Sequence, residues 1–282
     1  MPRVSYVNGL YRPHAEAAVH IEDRGYLFAD SVYEVMPVVG GRVRQLDQHL
    51  DRLDRSLAAL AIGWPVPRRV LPLILAEVVR RNRVTGGIVY LQASRGVAHR
   101  NHLFPVDAAP SLVVSAWAQP GPSAKVVEEG AMVVTRADQR WGRVDIKTTG
   151  LLPNVLARQS AKESGAQEAW MVDAQGVVTE GAATNAFIVD AFGVLRTHPI
   201  NPAILGGVTR LNVLELARRE GLPVEERAFT LVEAKSAREA FMTGTTIMVV
   251  PVVRIDGAPV GDGRPGPVAR RLRALCQELR AR

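Results

Sequence analysis

The chain has 282 residues, a length that suits two modest domains or one large one. Hydrophobic residues make up 47% and charged residues 22%, which excludes a disordered, collagen-like or coiled-coil chain. The net charge of +7 raises nucleic-acid binding as a hypothesis, but only four of the 35 basic residues are lysines and the arginines form no continuous stripe. A basic nucleic-acid-binding module is kept as the alternative from a different class of function.

The sequence also argues against a membrane span, a secretion signal and an internal disulfide. The longest apolar stretch, residues 247–253 with Pro251 inside it, is far shorter than the roughly 18 to 20 residues that a membrane span needs. The first ten residues lack the basic and then apolar layout of a secretion signal, so we expect a cytoplasmic protein. Cys276 is the single cysteine, which excludes an internal disulfide, and we predict that it is a small apolar residue of a C-terminal helix.

The N-terminal part alternates short strands with helices of clear period. Strands are predicted over residues 4–7, 31–39, 88–94 and 112–117. Leucines at 46, 50, 53, 57 and 60 share one helical face, and a second apolar stripe runs from Val70 to Val79. The breaker-rich sequence QPGPS begins a predicted linker over 119–124, which separates an N-terminal domain, 1–118, from a C-terminal domain, 125–282.

The C-terminal part shows the same mixture of patterns. Strands are predicted over 131–136, 169–172, 177–179, 186–189 and 241–253, and helices over 152–164 and 209–220. A further helix begins at Thr230, where Thr230 and Glu233 have the spacing of a capping box. The last helix carries Val268, Leu272 and Leu275 on its apolar face. These patterns predict two α+β domains with a cleft between them.

Two motifs are set aside. Residues 261–266 match the glycine spacing of a dinucleotide fingerprint, but only 16 residues follow them, so we interpret them as a turn before the last helix. His99 and His102 are three positions apart, but too few further ligands lie near them in the sequence to predict a metal site. We interpret both histidines as hydrogen-bonding or charge-bearing groups.

The segment DIKTTG at 145–150 carries one of the four lysines. In a chain that uses arginine for almost every cation, a lysine beside Ile146 and small hydroxyl residues indicates a task that arginine cannot perform. A partly desolvated lysine amine loses its proton more readily, which is the activation that Schiff-base chemistry needs. An exposed lysine at the end of a strand is the alternative that this segment alone leaves open.

Three further segments bear on the same chemistry. Glu180 lies in a run of small residues, 179–185, whose simplest interpretation is a hairpin turn. Residues 205–210, LGGVTR, begin a helix, where free N–H groups and the helix dipole favour an anion. A hydroxyl and glycine cluster, TGTT, follows at 243–246. A lysine, a carboxylate and two phosphate-binding turns are the groups that a pyridoxal phosphate site requires.

The chain resembles the branched-chain and D-amino-acid aminotransferase family, fold type IV of the pyridoxal phosphate enzymes, from about Tyr6 to the final helix. The matching segments are LFADSVYEV at 27–35, HLDRL at 49–53, DIK at 145–147, EG at 180–181 with TN at 184–185, and GVTR at 207–210. The resemblance implies a two-domain α+β fold with pyridoxal 5'-phosphate in the interdomain cleft. It also implies a homodimer with a shared active site.

The resemblance also implies roles for individual residues. Lys147 is the catalytic residue and forms the Schiff base with the cofactor, and Glu180 pairs with the pyridine nitrogen. Leu205 packs on the ring, and Tyr33 lines the substrate side. The remaining cofactor-binding residues, most of them at the phosphate, are Arg52, Gly207, Val208, Thr209 and Thr245.

Within the family, residues 95–102, RGVAHRNH, resemble the D-amino-acid enzymes. In those enzymes the residues at the positions of Arg100 and His102 reach the active site of a neighbouring subunit and hold the substrate carboxylate, whereas branched-chain enzymes lack this pair. The chain departs from the pattern at His99, where a proline is common, and at Ala182 and Ala183, where serines are frequent.

The sequence and the resemblance together predict transamination of D-amino acids, with D-alanine and 2-oxoglutarate giving pyruvate and D-glutamate. Lys147 is expected to move the α-proton of the substrate as a general base and then as a general acid. Three alternatives on the same fold stay open: a branched-chain L-amino-acid aminotransferase, an (R)-amine transaminase and aminodeoxychorismate lyase.

Overall fold

The computed structural model describes residues 2–281, which form two compact units. The first unit contains the chain up to Pro120 together with Ile146–Gly150, and the second contains Gly121–Asp145 and the chain from Leu151 onward. Each unit combines helices with a sheet, so the predicted α+β class is confirmed. No helix of the described residues has the length and apolarity that crossing a bilayer requires.

The first unit is built on an antiparallel sheet of six strands in the order β2-β1-β6-β5-β3-β4. A single 3-10 turn at His14–Glu16 follows the second strand. In chain order, the elements are β1 (Val4–Val7), β2 (Leu10–Pro13), α1 (Arg24–Phe28), β3 (Ser31–Val39), β4 (Arg42–Val43), α2 (Leu46–Ala59), α3 (Leu71–Asn82), β5 (Gly86–Ser94) and β6 (Ser111–Trp117).

Helices α2 and α3 cover this sheet with the two apolar stripes that the sequence predicts. Leu53 and Leu57 of α2 and Leu75 and Val78 of α3 are each no more than 1% exposed and belong to one core. Burying such a side chain contributes roughly 1.5 to 3 kcal/mol, so the register of α2 on the sheet is strongly determined. The polar residues at the margin of that stripe, among them Arg52, are therefore held in defined positions.

The second unit is built on a sheet of ten strands in the order β12-β11-β10-β14-β15-β7-β8-β9-β13, with β16 paired to β15. Its strand β7 runs parallel to both of its neighbours. In chain order, the elements are α4 (Ala124–Glu129), β7 (Ala131–Ala137), α5 (Leu152–Glu163), β8 (Glu168–Val172), β9 (Val177–Gly181), β10 (Asn185–Val189), β11 (Leu195–Thr197), α6 (Val208–Arg219), β12 (Val224–Glu226), β13 (Phe229–Thr230), α7 (Leu231–Lys235), β14 (Glu239–Gly244), β15 (Met248–Ile255), β16 (Ala258–Pro259) and α8 (Pro267–Ala281).

One predicted strand of this unit is wrong. Residues 241–253 form two antiparallel strands, β14 and β15, and the chain reverses at 245–247. Both strands are buried along nearly their whole length, so the apolar residues on the two sides resemble one strand, although the cluster TGTT at 243–246 interrupts them and marks the reversal. Two other predictions are confirmed: Thr230 and Glu233 form a capping box, and Cys276 is buried on α8.

The segment Ile146–Gly150 packs with the first unit although it follows β7 in the chain and lies inside the range 125–282. The N–H of Tyr33 donates to the carbonyl of Lys147 at 3.0 Å, and the N–H of Thr149 donates to the carbonyl of Ser31 at 3.2 Å. Val32 and Thr148 form an antiparallel bridge between these contacts. The chain segment that contains Lys147 is thus hydrogen-bonded along the start of β3.

Candidate active site

Lys147 is a half-buried residue of the first unit. Its N–H donates to Ser56 Oγ on α2 at 3.3 Å, and its Nζ lies 4.2 Å from the centre of the Tyr33 ring. An ammonium over an aromatic face is attracted by the ring quadrupole. Lys147 lies in no strand and is not exposed, so the alternative of an exposed strand-end lysine is wrong.

A buried ionic cluster joins α2 to β3 in the same unit. Arg52 donates from Nε to Glu34 Oε1 at 2.8 Å and from Nη2 to Glu34 Oε2 at 2.7 Å. His49 Nδ1 lies 2.7 Å from the same Oε2. Burial raises the pKa of Glu34, but the charge and hydrogen bonds of Arg52, together with His49, outweigh it and lower that pKa to about 2. Burial lowers the pKa of His49, so its ring is neutral at pH 7.

Besides Lys147, Tyr33 contacts an aromatic residue, Tyr90, which sequence reasoning missed. The two ring centres are 5.7 Å apart, and the Tyr90 hydroxyl donates to Gln92 at 2.7 Å. Burial raises the pKa of Tyr90 to about 12, so its hydroxyl keeps its proton. Tyr90 pairs with Val35 on β3, and Gln92 pairs with Tyr33. Strand alternation on two paired strands is the signal that could have found it.

Arg100 and His102 lie on the loop that follows β5, and both are exposed. They meet on one ring: the guanidinium carbon of Arg100 is 5.3 Å from the centre of Phe28, and the ring centre of His102 is 5.5 Å from it. Within the described residues, neither of them makes a hydrogen bond or ring contact with Tyr33. His99 instead faces Glu22, with Nδ1 3.1 Å from its carboxylate. Over residues 2–281, no group of three His, Cys, Asp or Glu is placed to hold a metal.

Glu180 is a buried carboxylate of the second unit. It lies near the end of β9 and is only 5% exposed. Arg140 Nη1 donates to its Oε1, and Oε2 accepts from Asn185 Nδ2 at 2.8 Å and from the Leu205 N–H at 3.1 Å. Charge-assisted hydrogen bonds of this kind stabilise the ionised carboxylate. Strands β9 and β10 on either side of the following turn are not neighbours in the sheet, so the simple hairpin interpretation of 179–185 is wrong.

Arg140 is the second residue that sequence reasoning missed. Its Nη2 donates to Asp138 at 2.6 Å and to the Thr179 hydroxyl at 3.1 Å, while Nη1 holds Glu180. Burial lowers the pKa of Arg140, but Asp138 and Glu180 outweigh it and raise that pKa. Burial raises the pKa of Asp138, and the hydrogen bond and charge of Arg140 reverse this and lower it. The cluster therefore holds a fixed positive charge against the Glu180 carboxylate.

The N-terminus of α6 is shaped for an anion. Gly207 is its N-cap residue, and among the described residues no side chain caps this end. The N–H groups of the first helical turn are therefore available to an acceptor. A Cβ atom on Gly207 would lie 2.1 Å from Asn185 Oδ1, so only glycine permits this close approach. Val208 and Thr209 are buried behind it, at 3% and 4% exposure.

The predicted cofactor residues of the second unit fall into two groups. Asn185 Nδ2 bridges the Glu180 carboxylate and the Leu205 carbonyl, each at 2.8 Å, and its side chain also faces Gly207. Glu180, Leu205 and the start of α6 are thus brought together through Asn185. Thr245 lies at the reversal between β14 and β15 and is half-buried.

The fold and these residues define a class of protein. Residues 31–255 match the family described as amino-transferase class IV, and the chain belongs to this family. It is 39% identical over 270 residues to D-alanine aminotransferase from Bacillus licheniformis, covering 96% of this chain and 94% of that protein.

Solved structures agree on the fold. The Escherichia coli branched-chain amino acid aminotransferase superposes with a TM-score of 0.92 at 25% identity, over 99% of this chain and 95% of that chain. A branched-chain amino acid aminotransferase from T.th., solved with pyridoxamine 5'-phosphate, gives a TM-score of 0.90 at 29% identity, over 100% and 95% of the two chains. The predicted two-domain, fold type IV architecture is therefore confirmed.

The residues present suit a phosphorylated pyridine. A helix N-terminus without a side-chain cap suits a phosphate dianion, and a carboxylate held by Arg140 suits a protonated ring nitrogen. Lys147 beside Tyr33 offers an amine, and Arg52 offers a buried guanidinium. This set of donors and charges matches the chemistry of pyridoxal phosphate in each of its parts.

Proposed function

We propose that the chain is a pyridoxal phosphate-dependent D-amino-acid aminotransferase that converts D-alanine and 2-oxoglutarate into pyruvate and D-glutamate. The observation that carries this proposal is the 39% identity to D-alanine aminotransferases over nearly the whole chain. The branched-chain enzymes of known structure share the fold at 25% and 29% identity. D-Alanine is therefore the first donor to test, and branched-chain L-amino acids are the second.

The residues assigned to the cofactor are those that the family resemblance implies. Lys147 would bind its aldehyde, Glu180 would face the pyridine nitrogen, and Leu205 would pack on the face of the ring. When bound, pyridoxal phosphate supplies an aldehyde that binds amino groups covalently and a ring that accepts electrons. The residues that would hold its phosphate are Arg52, Gly207, Val208, Thr209 and Thr245.

Lys147 is the residue that moves the proton. Its amine removes the proton from the α-carbon of the substrate as a general base and afterwards acts as the general acid. The ammonium that carries this proton is stabilised by the face of Tyr33, 4.2 Å from Nζ. The main chain of Lys147 accepts a hydrogen bond from the N–H of Tyr33 and donates one to Ser56 Oγ. These bonds fix the position of the backbone that carries the amine.

Glu180 keeps the pyridine nitrogen protonated. Its carboxylate is an acceptor that Arg140, Asn185 and the Leu205 N–H hold in one orientation. A fixed anion at this place favours the N–H⁺ form of a pyridine over the neutral form. Arg140 and Asn185 therefore serve as positioning residues for Glu180.

Arg100, His102 and Tyr33 form the proposed site for the substrate carboxylate. Arg100 and His102 are exposed and away from Tyr33 in one chain, which suits residues that serve a second copy. The same unit exposes large apolar side chains, including Tyr26 at 76%, Leu103 at 75% and Val106 at 95%. Large apolar side chains exposed to solvent favour burial against a second copy of the chain. A homodimer with a shared active site is the assembly that we propose, and light scattering at micromolar concentration tests it.

The deciding experiment is a panel of D- and L-amino acids with 2-oxoglutarate as acceptor. We expect D-alanine to give the highest kcat/KM, with pyruvate formed in equal amount to D-glutamate. A preference for L-leucine would favour the branched-chain enzyme, and turnover of an (R)-amine above D-alanine would favour the amine transaminase. Absence of transamination by a protein loaded with cofactor would contradict the proposal.

A further inference from the structure

Phe28 is the residue on which both proposed carboxylate-binding side chains lie. The guanidinium carbon of Arg100 is 5.3 Å from its ring centre, and the His102 ring is 5.5 Å away and tilted by 46°. Exposed arginine and histidine side chains sample several rotamers, and contact with a fixed aromatic face restricts them. The restriction applies to both side chains at once because they share one ring.

The Phe28 ring is itself held in place. Helix α1 begins after Asp23, whose Oδ1 accepts from the Gly25 N–H at 2.8 Å, and it ends at Phe28. Ala29 then takes a left-handed conformation with φ of 54°, which ends the helix sharply. Asp23 Oδ2 accepts from Ser94 Oγ on β5 at 3.0 Å. The helix is therefore tied to the strand from which the Arg100 loop departs.

Arg24 ties the backbone of that loop to the same helix. Its Nη1 donates to the carbonyl of Asn101, the residue between Arg100 and His102, at 2.5 Å. Its Nε donates to Asp30 at 2.8 Å, and its guanidinium carbon lies 4.8 Å from the Phe28 ring. Arg24 is 3% exposed, so this anchor is buried. Arg24 fixes the backbone of the loop, but the side chains of Arg100 and His102 must be oriented by other contacts.

We propose that Phe28 is a positioning residue that orients Arg100 and His102 for the substrate carboxylate. The inference rests on the proposed function, because it concerns the binding of that carboxylate. Phe28 makes no bond to the substrate in this proposal. Its loss leaves Arg100 and His102 present but less ordered, so carboxylate binding weakens while the proton transfer at Lys147 is affected less.

The test compares Phe28→Leu and Phe28→Tyr with the matched variant Phe104→Leu. Phe104 is an aromatic residue of the same unit that packs 3.6 Å from Arg95 instead. Two quantities are measured: KM and kcat for D-alanine, and the Ki of propionate, which has the carboxylate without the amine. Phe28→Leu should raise KM and Ki together by about five- to tenfold with kcat changed by less than about twofold. Phe28→Tyr keeps the ring and should resemble the parent, as should Phe104→Leu.

Melting temperature and cofactor content are measured on every variant to separate positioning from folding. If Phe28→Leu does not fold, Phe28→Met takes its place, since it also lacks the ring. A parent-like KM and Ki in the ring-less variant, or an equal rise in Phe104→Leu, would overturn the role of Phe28. If the parent itself does not turn over D-alanine, the proposed function fails first, and the role of Phe28 fails with it.

Discussion

Arg52 and Glu34 form a parallel, two-bond ion pair, with donor to acceptor distances of 2.8 and 2.7 Å and side chains that are 6% and 0% exposed. This geometry orients the guanidinium from α2 against β3. A bidentate pair restricts an arginine more than a single contact does, so any further ligand of Arg52 meets a preorganised group. The pair has consequences for both acid stability and cofactor binding.

Glu34→Gln should lower the free energy of unfolding at neutral pH. It should also make that free energy fall less as the solution becomes acidic. The pKa of Glu34 lies at about 2 in the folded chain, against its ordinary value of 4.5. The stabilisation is therefore fully present above pH 4.5 and is lost as the pH falls towards 2. It amounts to roughly 3 kcal/mol at pH 7 by linkage. Urea unfolding at pH 7 and pH 3 should show a large difference between parent and variant at pH 7 that shrinks at pH 3.

Glu77→Gln is the matched control for this experiment. Hydrogen bonds from Arg80 and Arg81 lower the pKa of Glu77 to about 2 as well, but this pair lies at the surface of α3. Solvent and salt screen exposed pairs, so this variant should lose much less stability than Glu34→Gln. Equal losses in the two variants would show that burial of the Glu34 cluster is not what matters.

Arg52→Ala should weaken retention of pyridoxal phosphate much more than Arg55→Ala. Arg52 is 5% exposed, whereas Arg55, three residues on, is exposed to solvent. A charge-assisted contact to phosphate from a buried arginine is worth about tenfold or more in affinity. Dialysis against phosphate buffer and titration with cofactor measure it. Glu34→Gln is included because it disturbs the same ion pair and keeps Arg52, and equal retention in all variants would place the phosphate elsewhere.

Borohydride reduction of the protein loaded with cofactor should attach the pyridoxyl group to Lys147. The other lysines offer a sharp comparison. Lys125 and Lys162 are exposed, and Lys235 is paired with Asp256 at 2.9 Å. Only Lys147 lies on an aromatic ring in a half-buried position, which favours a partly desolvated amine. Peptide mapping locates the label, and a pyridoxyl group on any other lysine would refute the assignment.

The elements of the fold that could be predicted are those whose pattern is local. Strand β3 has the bounds predicted for it, and α2 carries the leucine stripe expected of it, because strand and helix periods are written within a few residues. The reversal at 245–247 was not predicted, because β14 and β15 are both buried and the apolar residues on either side of the cluster TGTT at 243–246 resemble one continuous strand. The short helix α1 was not predicted either, and its residue Phe28 contacts Arg100 and His102 of the loop that follows β5.

In the candidate site, too, some residues could be predicted from the sequence and others could not. Motifs and resemblance named Lys147, Glu180 and Arg52, but not the groups that hold them. Arg140 is 40 residues from Glu180 in the chain, and Glu34 is 18 residues from Arg52. Such pairs depend on how helices, strands and loops that are distant in the chain pack together, which no local pattern encodes. In a chain with so many arginines, nothing in the sequence singles out Arg140 as the partner of Glu180.

The preference for one enantiomer follows from where the substrate carboxylate is held. In the proposed function, Lys147 takes the α-proton from its own side, so the enantiomer that reacts is the one whose α-hydrogen faces its amine. With the carboxylate on Arg100, His102 and Tyr33, D-amino acids should present that hydrogen to Lys147, and L-isomers should direct it away. Arg100 and His102 contact the same ring, that of Phe28. Removing one of them should therefore impair carboxylate recognition without disturbing the cofactor.

Arg100→Ala should lower kcat/KM for D-alanine by about a hundredfold, since a bidentate carboxylate contact is worth a few kcal/mol of transition-state binding. The absorption spectrum of the bound cofactor should stay as in the parent, and the defect should shrink for an (R)-amine that has no carboxylate. His99→Ala is the matched control, because His99 is a neighbouring exposed side chain that faces Glu22 instead of Phe28. Parent-like turnover of D-alanine by Arg100→Ala, or a parent that prefers L-leucine, would transfer the chain to the branched-chain or amine transaminases.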